Sequence, residues 1–497
     1  MLKNDFVVLG AGTSGLIVSL MIREKYPDSS IVILKSGDVG IVGVGEGSTE
    51  HWIRFMSFVG IDNVELIKKT KATVKIGILF ENWSKNGLYV HSIDPMAQVS
   101  GLGRPETYNI ALLEYAHKKF PLSPNFEEIF YKNNVPVQPN FSCTNQYHFD
   151  TFELNNFLTQ KCMERNITIK DVLVTDVVIS NDGDVESLLT DKGIINGSFF
   201  IDCSGFKRVM ASKVGSKWIS KAEYLPMNRA ITLPSLHNKN HIEPYTKATA
   251  KTAGWIWQIP TQERYGNGYV FCDKFISSEE ALKELNQHLG TNAEAPVKDI
   301  KFEAGRVDKF WINNVVCVGL AGSFAEPLEA QSIGFTIIQS FALLSFLDGW
   351  KINRNNSEIY NLKMAASFDN IVDYLQLHYM GDNDQSEFWK EKPFKLTDFN
   401  KNNIEQVKKG VFDSFNYSDN NMMFGLFNWY QVLAGLNLID IDFLKNALAK
   451  NRVSYNDYSL NHTIDYRNRV KNSIVMDHKK YLDLVNFNFE FREKYET

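Results

Sequence analysis

The strongest constraint on the fold lies at the N-terminus, where a G-x-G-x-x-G turn stands between a predicted strand and a predicted helix. Asp5 to Leu9 is short and apolar, the turn reads GAGTSG, and a helical pattern of apolar residues continues to about Lys25. Glycines at these positions let the backbone approach a pyrophosphate, and the helix N-terminus stabilises its charge. This context predicts a dinucleotide site, with an ordinary glycine-rich turn as the alternative. The predicted contacts are Gly10, Ala11, Gly12, Thr13, Ser14 and Gly15.

Composition narrows the class of protein. The chain has 497 residues, 44% of them apolar, and a net charge of −5 without a basic run, so neither a nucleic acid nor an anionic membrane is indicated as a partner. Its five cysteines are an odd number without a C-x-x-C pair, which predicts no disulfide framework and no metal site. The longest nearly apolar run, Phe335 to Leu347, is too short to span a bilayer. We therefore expect a soluble, cytoplasmic protein.

One residue departs from the usual dinucleotide pattern. The second predicted strand runs from Ser30 to Leu34, and the residue that follows such a strand is normally an acid that binds the ribose. Here it is Lys35, whose ammonium cannot accept a hydrogen bond from a ribose hydroxyl. Either a neighbour such as Ser36 binds the ribose, or the adenosine end is held differently.

Three further segments carry side chains that could do chemistry. Alternation predicts one strand from Ala72 to Trp83, on which Lys75 lies between apolar residues and could point to water or inward as a desolvated amine. Glu329 follows a strand and a turn at Gly319–Gly322, so a carboxylate lies close in sequence to a turn that could touch a cofactor. Trp255 and Trp257 lie two apart on an extended segment and face the same side, as core aromatics or as a wall beside a cofactor.

Together these segments resemble the flavin-dependent tryptophan halogenase family. The W-x-W-x-I-P pattern is the most specific match, since ordinary flavin monooxygenases lack it and usually carry an Asp where this chain has Leu320. A phage or marine-microbial member is one interpretation within the family. The matching segments are GAGTSG at 10–15, GVGEGST at 43–49, ATVKIGILFENW at 72–83, YHFD at 147–150, FIDCSGF at 200–206, GWIWQIP at 254–260, GLAGSFAEPLEAQSIG at 319–334, HY…DQSEFW at 378–389 and NWYQVLAGLN at 428–437.

The resemblance implies an α/β fold. It consists of a Rossmann-like FAD-binding core of the flavin monooxygenase (GR2) type with a mixed sheet, and a largely helical substrate-binding cap domain. The interleaved core is expected to comprise 1–83, 147–215 and 300–350. The substrate-binding or cap region is expected to comprise 84–146, 216–299 and 351–497.

The resemblance also implies an enzyme. FADH2, O2 and a halide ion would yield hypohalous acid, which Lys75 would deliver to an electron-rich aromatic substrate such as an indole or a phenol. Lys75 would either hydrogen-bond the hypohalous acid or form a haloamine, while Glu329 would orient the halogenating species and take the ring proton. A separate flavin reductase would supply FADH2, since no segment suggests a nicotinamide site. The oligomeric state stays open, with a homo-oligomer among the alternatives.

The resemblance assigns further site residues. The halide site would involve Gln331 and Ser332, where the family has Ser-Thr-Gly or Ala-Thr-Ser after the glutamate. Because Gln331 is longer than Thr and adds an amide donor, we hypothesise that bromide or iodide is accepted at least as well as chloride. Trp255, Trp257 and Pro260 would separate the flavin from the substrate. The remaining FAD contacts would be Lys35, Gly45, Glu46, Gly47, Ser48, Val174, Gly205, Gly319 and Ile333.

Two other classes of function share parts of this pattern. A FAD-dependent aromatic hydroxylase would use the same glycine-rich turn, would oxidise NAD(P)H by itself and would form an oxygenated product without halide. A non-catalytic flavoprotein scaffold would bind a partner and would need neither Lys75 nor Glu329.

Overall fold

The computed structural model describes residues 4–37, 46–85, 87–92, 130–137, 146–236, 240–347, 354–409, 423–450 and 474–495. The predicted FAD contact Gly45 and the side chain of Glu46 lie outside this description. So does most of the stretch from His91 to Asn140, where the sequence, with several prolines and aromatics, predicts loops and short helices.

Strands and helices alternate along the first half of the chain, and helices dominate the last third. The strands are β1 (Asn4–Leu9), β2 (Ile31–Lys35), β3 (Glu46–Gly47), β4 (Thr73–Lys75), β5 (Gly77–Glu81), β6 (Leu88–Ser92), β7 (Asn134–Val137), β8 (Gln146–Phe149), β9 (Thr168–Asp171), β10 (Val174–Ile179), β11 (Val185–Thr190), β12 (Gly193–Asp202), β13 (Trp218–Ser220), β14 (Arg229–Thr232), β15 (Tyr245–Lys251), β16 (Gly254–Pro260), β17 (Tyr265–Phe271), β18 (Lys298–Lys301), β19 (Gly305–Val307), β20 (Trp311–Ile312), β21 (Val315–Cys317), β22 (Ser323–Phe324) and β23 (Ile474–Asp477). The α-helices are α1 (Thr13–Lys25), α2 (His51–Val59), α3 (Asn63–Thr70), α4 (Thr151–Glu164), α5 (Val209–Lys213), α6 (Ser278–Leu289), α7 (Gln331–Phe346), α8 (Arg354–His378), α9 (Glu387–Glu391), α10 (Asp398–Lys408), α11 (Leu426–Gly435), α12 (Ile441–Lys450) and α13 (His478–Tyr495).

An eight-stranded mixed sheet contains the N-terminal strand at its centre. Its parallel part runs in the order β9–β2–β1–β12–β21, and β10, β11 and β20 extend it with antiparallel pairs. Leu9 pairs with both Leu34 and Asp202, and Asp202 pairs with Cys317, so the carboxyl ends of four strands meet at one edge. Such an edge is where open α/β sheets bind ligands. The predicted Rossmann-like core is confirmed.

Helix α1 is apolar on nearly all sides, as expected for a helix packed between other elements. Every residue from Gly15 to Ile22 is buried, and the helix contacts α4 and α7 as well as β1 and β2. This burial holds the N-terminus of α1 directly after β1, at the carboxyl edge of the sheet.

A second, seven-stranded sheet joins distant parts of the chain. Its order is β18–β14–β17–β16–β15–β5–β6, and all neighbours are antiparallel except β15 and β5. Gly77 pairs with Tyr245, so a strand from the first predicted core segment lies beside a strand from the predicted substrate region. The proposed division into core and cap remains a prediction, and any boundary must cross this sheet.

The stretch from Ala72 to Trp83, which the sequence predicts as one strand, is two strands. β4 pairs with β8 in a small three-stranded sheet, whereas β5 pairs with β15 in the seven-stranded sheet. Ile76 stands between them and donates its backbone N–H to the carbonyl of Pro244 at 2.7 Å. The chain therefore changes sheets immediately after Lys75, which places this residue between two layers of structure.

No helix in the part of the chain that the structure describes combines the length and the apolar character needed to cross a bilayer. The sequence predicts helices over Phe335–Leu347, Asn355–Leu377, Ile404–Lys409 and Ile439–Lys450. They correspond to α7, α8, α10 and α12, although α10 begins earlier than predicted, at Asp398.

Candidate functional site

The GAGTSG turn forms an open cradle at the carboxyl edge of the first sheet. Gly10 has φ +113°, and a Cβ on it would lie 2.3 Å from the carbonyl oxygen of Cys203, while a Cβ on Gly15 would lie 1.9 Å from the carbonyl oxygen of Gly10. Both glycines are therefore required by close backbone packing. At Gly12 a Cβ would meet no atom within 4 Å, so the space before the helix is open.

The N-terminus of α1 is suited to an anion. Gly12 supplies no side-chain cap, and the first turn of the helix contains no acidic residue. The first N–H groups of a helix lack partners within the helix and carry its positive dipole end. Together with the open space at Gly12, these features suit an anionic group such as a pyrophosphate.

A cavity of about 880 Å³ is lined by this turn and also by Lys75 and Glu329. Lys35 lines it at the exposed end of β2, beside Ser36 and Gly37. Gly15 and Ser48 contribute to packing instead, since Ser48 Oγ accepts a hydrogen bond from the backbone N–H of Tyr147. The other predicted cofactor contacts among its lining residues are Gly10, Ala11, Gly12, Thr13, Ser14, Gly47, Val174, Gly205, Gly319 and Ile333.

Lys75 points inward and lines the same cavity. Its side chain is fully buried, and Nζ donates a hydrogen bond to the backbone carbonyl of Ser48 at 3.2 Å. Burial lowers the pKa of the Lys75 ammonium to about 8, and the carboxylates of Glu329 and Glu50 offset this effect only in part. The sequence left both orientations open; in the structure both faces of this strand are buried, since Val74, Lys75 and Ile76 are all fully buried.

Glu329 has an unusual backbone conformation. Glu329 and Ala330 both lie in the left-handed region, with φ of 67° and 54°, although neither is a glycine. Each such residue costs roughly 1–3 kcal/mol and persists only when its surroundings hold it in place. The short 3₁₀ turn Leu328–Ala330 thereby aims the carboxylate into the protein before α7 begins.

Two histidines hold the Glu329 carboxylate. His91 Nδ1 lies 2.8 Å from both carboxylate oxygens, and His378 Nε2 lies 2.9 Å from Oε1. Burial raises the pKa of the Glu329 carboxyl, but electrostatic attraction to His91 and His378 and the hydrogen bonds from both rings outweigh burial and leave this pKa lowered. In the described part of the chain, no group of three or more His, Cys, Asp or Glu side chains is arranged to hold a metal ion.

A second buried carboxyl group, Glu326, lies three residues earlier and behaves in the opposite way. Tyr379 donates its hydroxyl to Oε1 at 2.6 Å, and Oε2 is buried without a hydrogen-bond partner. Burial raises the pKa of Glu326 to about 8, and the bond from Tyr379 opposes this only partly. Two neighbouring carboxyl groups therefore differ in charge near pH 7, because only Glu329 has two imidazole partners.

Gly47 lies between the lysine and the glutamate turn. A Cβ on Gly47 would be 3.2 Å from Lys75 Nζ and 3.2 Å from Ala330 Cβ. Because residue 47 is glycine, both the Lys75 amine and Ala330 can lie close to its backbone.

The residues predicted for the halide site lie at the start of α7. Gln331 Nε2 donates to the backbone carbonyl of Glu326 at 2.6 Å, and Gln331 Oε1 accepts a hydrogen bond from Ser332 Oγ at 2.8 Å. Both residues line the cavity. A primary amide has two N–H groups, so one donor of Gln331 remains after these contacts.

The two tryptophans lie side by side on β16. Their ring centroids are 6.2 Å apart, both residues are buried, and both line the cavity. Pro260 ends the strand, and its carbonyl accepts a hydrogen bond from Thr73 Oγ1 at 2.6 Å. Pro260 thus connects the tryptophan strand to the strand that carries Lys75.

The sequence alone assigned no role to His91 and His378, the two histidines that hold Glu329. His378 lies in the HY segment, which matched the family without an assigned function, and His91 opens a region read only as irregular. Their separation from Glu329 along the chain is 49 and 238 positions, so no local pattern could have joined them. The only hint in the sequence was that His91 follows apolar residues in the segment LYVH at 88–91.

Comparison with known proteins gives consistent matches. A family profile described as tryptophan halogenase matches residues 5–449. A 7-chloro-L-tryptophan 6-halogenase of Kutzneria is 29% identical over 426 residues, which cover 78% of this chain and 81% of that protein. A tryptophan 6-halogenase of Streptomyces albogriseolus is 28% identical over 477 residues, which cover 87% of this chain and 89% of that protein.

Solved structures share the fold. A tryptophan C-6 flavin-dependent halogenase from taromycin biosynthesis has a TM-score of 0.85 at 23% identity, covering 97% of this chain and 100% of that chain. A flavin-dependent halogenase from Xanthomonas campestris has a TM-score of 0.83 at 22% identity, covering 98% and 99%.

Proposed function

Because the chain belongs to the tryptophan halogenase family, we propose that it halogenates an electron-rich aromatic ring with Lys75 and Glu329 as catalytic residues. It is an FADH2-dependent aromatic halogenase that uses O2 and a halide ion, and the alternative of an aromatic hydroxylase is not favoured. One observation carries the assignment of the two residues: a buried amine and a buried carboxylate line the cavity that begins at the GAGTSG turn.

The residues present fit FAD. The open space at Gly12 and the uncapped start of α1 suit its pyrophosphate, and the cavity continues past Gly205 and Gly319 toward Ile333. We propose that these residues, with Lys35 and Val174, hold the cofactor; Gly45 and Glu46 remain predictions. Bound reduced FAD would supply, with O2, the oxidising power that converts halide to hypohalous acid.

Lys75 would hold the hypohalous acid beside the substrate. With a pKa of about 8, most Lys75 side chains are ammonium at pH 7, which favours a hydrogen-bond donor over a haloamine. As the ring attacks the halogen, the oxygen leaves and takes a proton from the ammonium to form water. The rate should then fall as pH rises through about 8, whereas a haloamine route predicts a rise.

Glu329 would accept the proton that the ring loses. The carboxylate is ionised because two imidazoles stabilise it, so it is available as a base over a wide pH range. The reaction balances as ring C–H plus hypohalous acid giving ring C–halogen plus water. Return of the proton from Glu329 to the neutral Lys75 amine would complete the cycle.

The tryptophan pair would separate the cofactor from the organic substrate. Support comes from the burial of both rings in the cavity wall and from the link that Pro260 makes to the strand of Lys75. Trp257→Ala is expected to give a measurable fraction of oxygenated product, which mass spectrometry detects. Unchanged product chemistry would contradict this role.

Halide preference would depend on Gln331 and Ser332. The remaining Gln331 N–H can bind a halide ion, and bromide and iodide are easier to oxidise than chloride, so we propose that they are accepted at least as well. The test is a competition at equal halide concentrations with quantification of each product. Dominant chlorinated product would refute the proposal.

Substrate and reductase can be tested together. Purified protein would receive FAD, a separate flavin reductase with its nicotinamide, O2 and each halide, with a panel of indoles and phenols. Halogenated product is expected by mass spectrometry, and Lys75→Met and Glu329→Gln are expected to lower its rate by about 10²–10⁴-fold. Lys170→Met, an exposed strand lysine, is the matched control. Lys75→Met with full activity and normal FAD binding would overturn the assignment.

A further inference from the structure

The protonation of His91 follows from the groups that its two ring nitrogens contact. Besides Glu329, Nδ1 lies 3.4 Å from the Tyr374 hydroxyl oxygen, which can accept a hydrogen bond. Asn428 Oδ1 accepts the backbone N–H of Gly425 at 2.9 Å, which fixes the orientation of the amide, and Asn428 Nδ2 lies 3.1 Å from His91 Nε2. An amide nitrogen only donates, so His91 Nε2 accepts. His91 is therefore the neutral tautomer with its proton on Nδ1, and it donates this proton to Glu329.

His378 is arranged differently. Its Nδ1 lies 3.1 Å from the backbone carbonyl of Tyr374, which only accepts, so Nδ1 carries a proton. Its Nε2 lies 2.9 Å from Glu329 Oε1. A neutral His378 would turn the Nε2 lone pair toward a carboxylate oxygen, and two acceptors do not bond. This contact consequently requires one further proton, on His378 or on Glu329.

Three surrounding groups favour ionised Glu329. His91 donates to the same carboxylate from β6, the Lys75 ammonium acts on it from β4, and the Tyr374 hydroxyl lies 3.5 Å from Oε1. Glu50 acts on Lys75 and Tyr374 from further away. Both Glu329 and His378 are buried, with side-chain exposures of 2% and 0%, so a lone charge on either would be costly while a pair is neutral.

We propose that His378 is an imidazolium that shares a buried ion pair with Glu329, whereas His91 is a neutral donor to the same carboxylate. Under the proposed function, on which this role rests, His378 is a positioning residue. It keeps Glu329 ionised before the ring proton arrives and makes protonated Glu329 acidic enough to return that proton to Lys75.

The direct test is ¹⁵N NMR of the whole enzyme labelled at histidine, without substrate, near pH 7. His91→Asn and His378→Asn assign the two resonance pairs. We expect both nitrogens of His378 to be protonated, and His91 to carry a proton on Nδ1 alone. A neutral His378 would overturn the inference whether or not the protein halogenates, and an imidazolium at His378 in a protein that never halogenates would refute the proposed function alone.

The same variants form a matched pair for kinetics. Asparagine can still donate a hydrogen bond at either position, but only His378→Asn removes a positive charge. We expect the acid limb of kcat to move upward by about 1–3 pH units in His378→Asn and less in His91→Asn. Equal shifts in the two variants would contradict the proposal, and near-UV circular dichroism would check that each variant is folded.

Discussion

Replacing Lys75 by methionine is expected to stabilise the folded protein while it removes the proposed activity. Methionine has a similar length and no charge, and Lys75 is fully buried with a pKa of about 8 against 10.5 in the unfolded chain. A difference of about 2.5 pH units corresponds to roughly 3 kcal/mol of penalty for keeping the ammonium in the folded state. Loss of the hydrogen bond to Ser48 takes back about 1 kcal/mol, so the net gain near pH 7 is about 2 kcal/mol.

The sign of the pH dependence follows from linkage. Below about pH 8 both folded and unfolded chains carry the Lys75 proton, so the folded state bears the whole penalty. Between about pH 8 and the unfolded value of 10.5 the folded state releases the proton first, and the penalty fades. At pH 10 less than about 1 kcal/mol remains, and the advantage of methionine should nearly vanish.

The assay is thermal unfolding of Lys75→Met and the parent protein at pH 7 and pH 10, at fixed salt and saturating FAD. Lys170→Met controls for a general effect of losing a lysine, since Lys170 is exposed on β9, and its unfolding temperature should change little at either pH. A Lys75→Met variant that is less stable than the parent at pH 7, or equally stabilised at both pH values, would refute the reasoning.

Three further substitutions test the geometry of the site. Gly47→Ala should lower kcat several-fold with little loss of unfolding temperature, because its Cβ would lie 3.2 Å from both Lys75 Nζ and Ala330 Cβ; unchanged kinetics would argue against this approach. Ala330→Gly should raise the free energy of unfolding by up to about 1 kcal/mol, measured by denaturant titration, because φ of 54° strains alanine; a loss would contradict strain there. Gly319→Ala should weaken FAD binding in fluorescence titrations and lower the unfolding temperature, since φ is +66° and the new Cβ would lie 2.7 Å from Ser14 Cβ; parent-like affinity would contradict it.

The core of the fold could be predicted from the sequence because it depends on residues that are neighbours in the chain. The turn after β1 needs glycine at positions 10 and 15 because backbone atoms occupy the space that a side chain would fill. The motif GAGTSG therefore identifies this turn from the sequence alone. The strand before it and the helix after it follow from apolar spacing, which is a property of neighbouring residues. The same holds for α7 and α8, which were predicted over Phe335–Leu347 and Asn355–Leu377 and span Gln331–Phe346 and Arg354–His378.

Only part of the candidate site could be predicted from the sequence. Lys75 and Glu329 were named because their segments resemble a family, whereas the spacing around Lys75 left its orientation open. In the structure Lys75 is buried whichever face it takes, because Val74, Lys75 and Ile76 are all fully buried where the chain leaves the sheet of β8 and joins the sheet of β15. The alternation of apolar and polar residues within a strand does not predict which distant strand it pairs with.

The sequence by itself thus predicted a nucleotide-binding α/β core, two candidate catalytic side chains and a family resemblance, since each depends on residue types in short segments. The tertiary structure alone decided that the lysine is desolvated and that Glu329 lies between His91 and His378. The physical reason is that the charge of a buried group depends on what surrounds it in space, and those partners come from β6, α8 and α11, far apart along the chain.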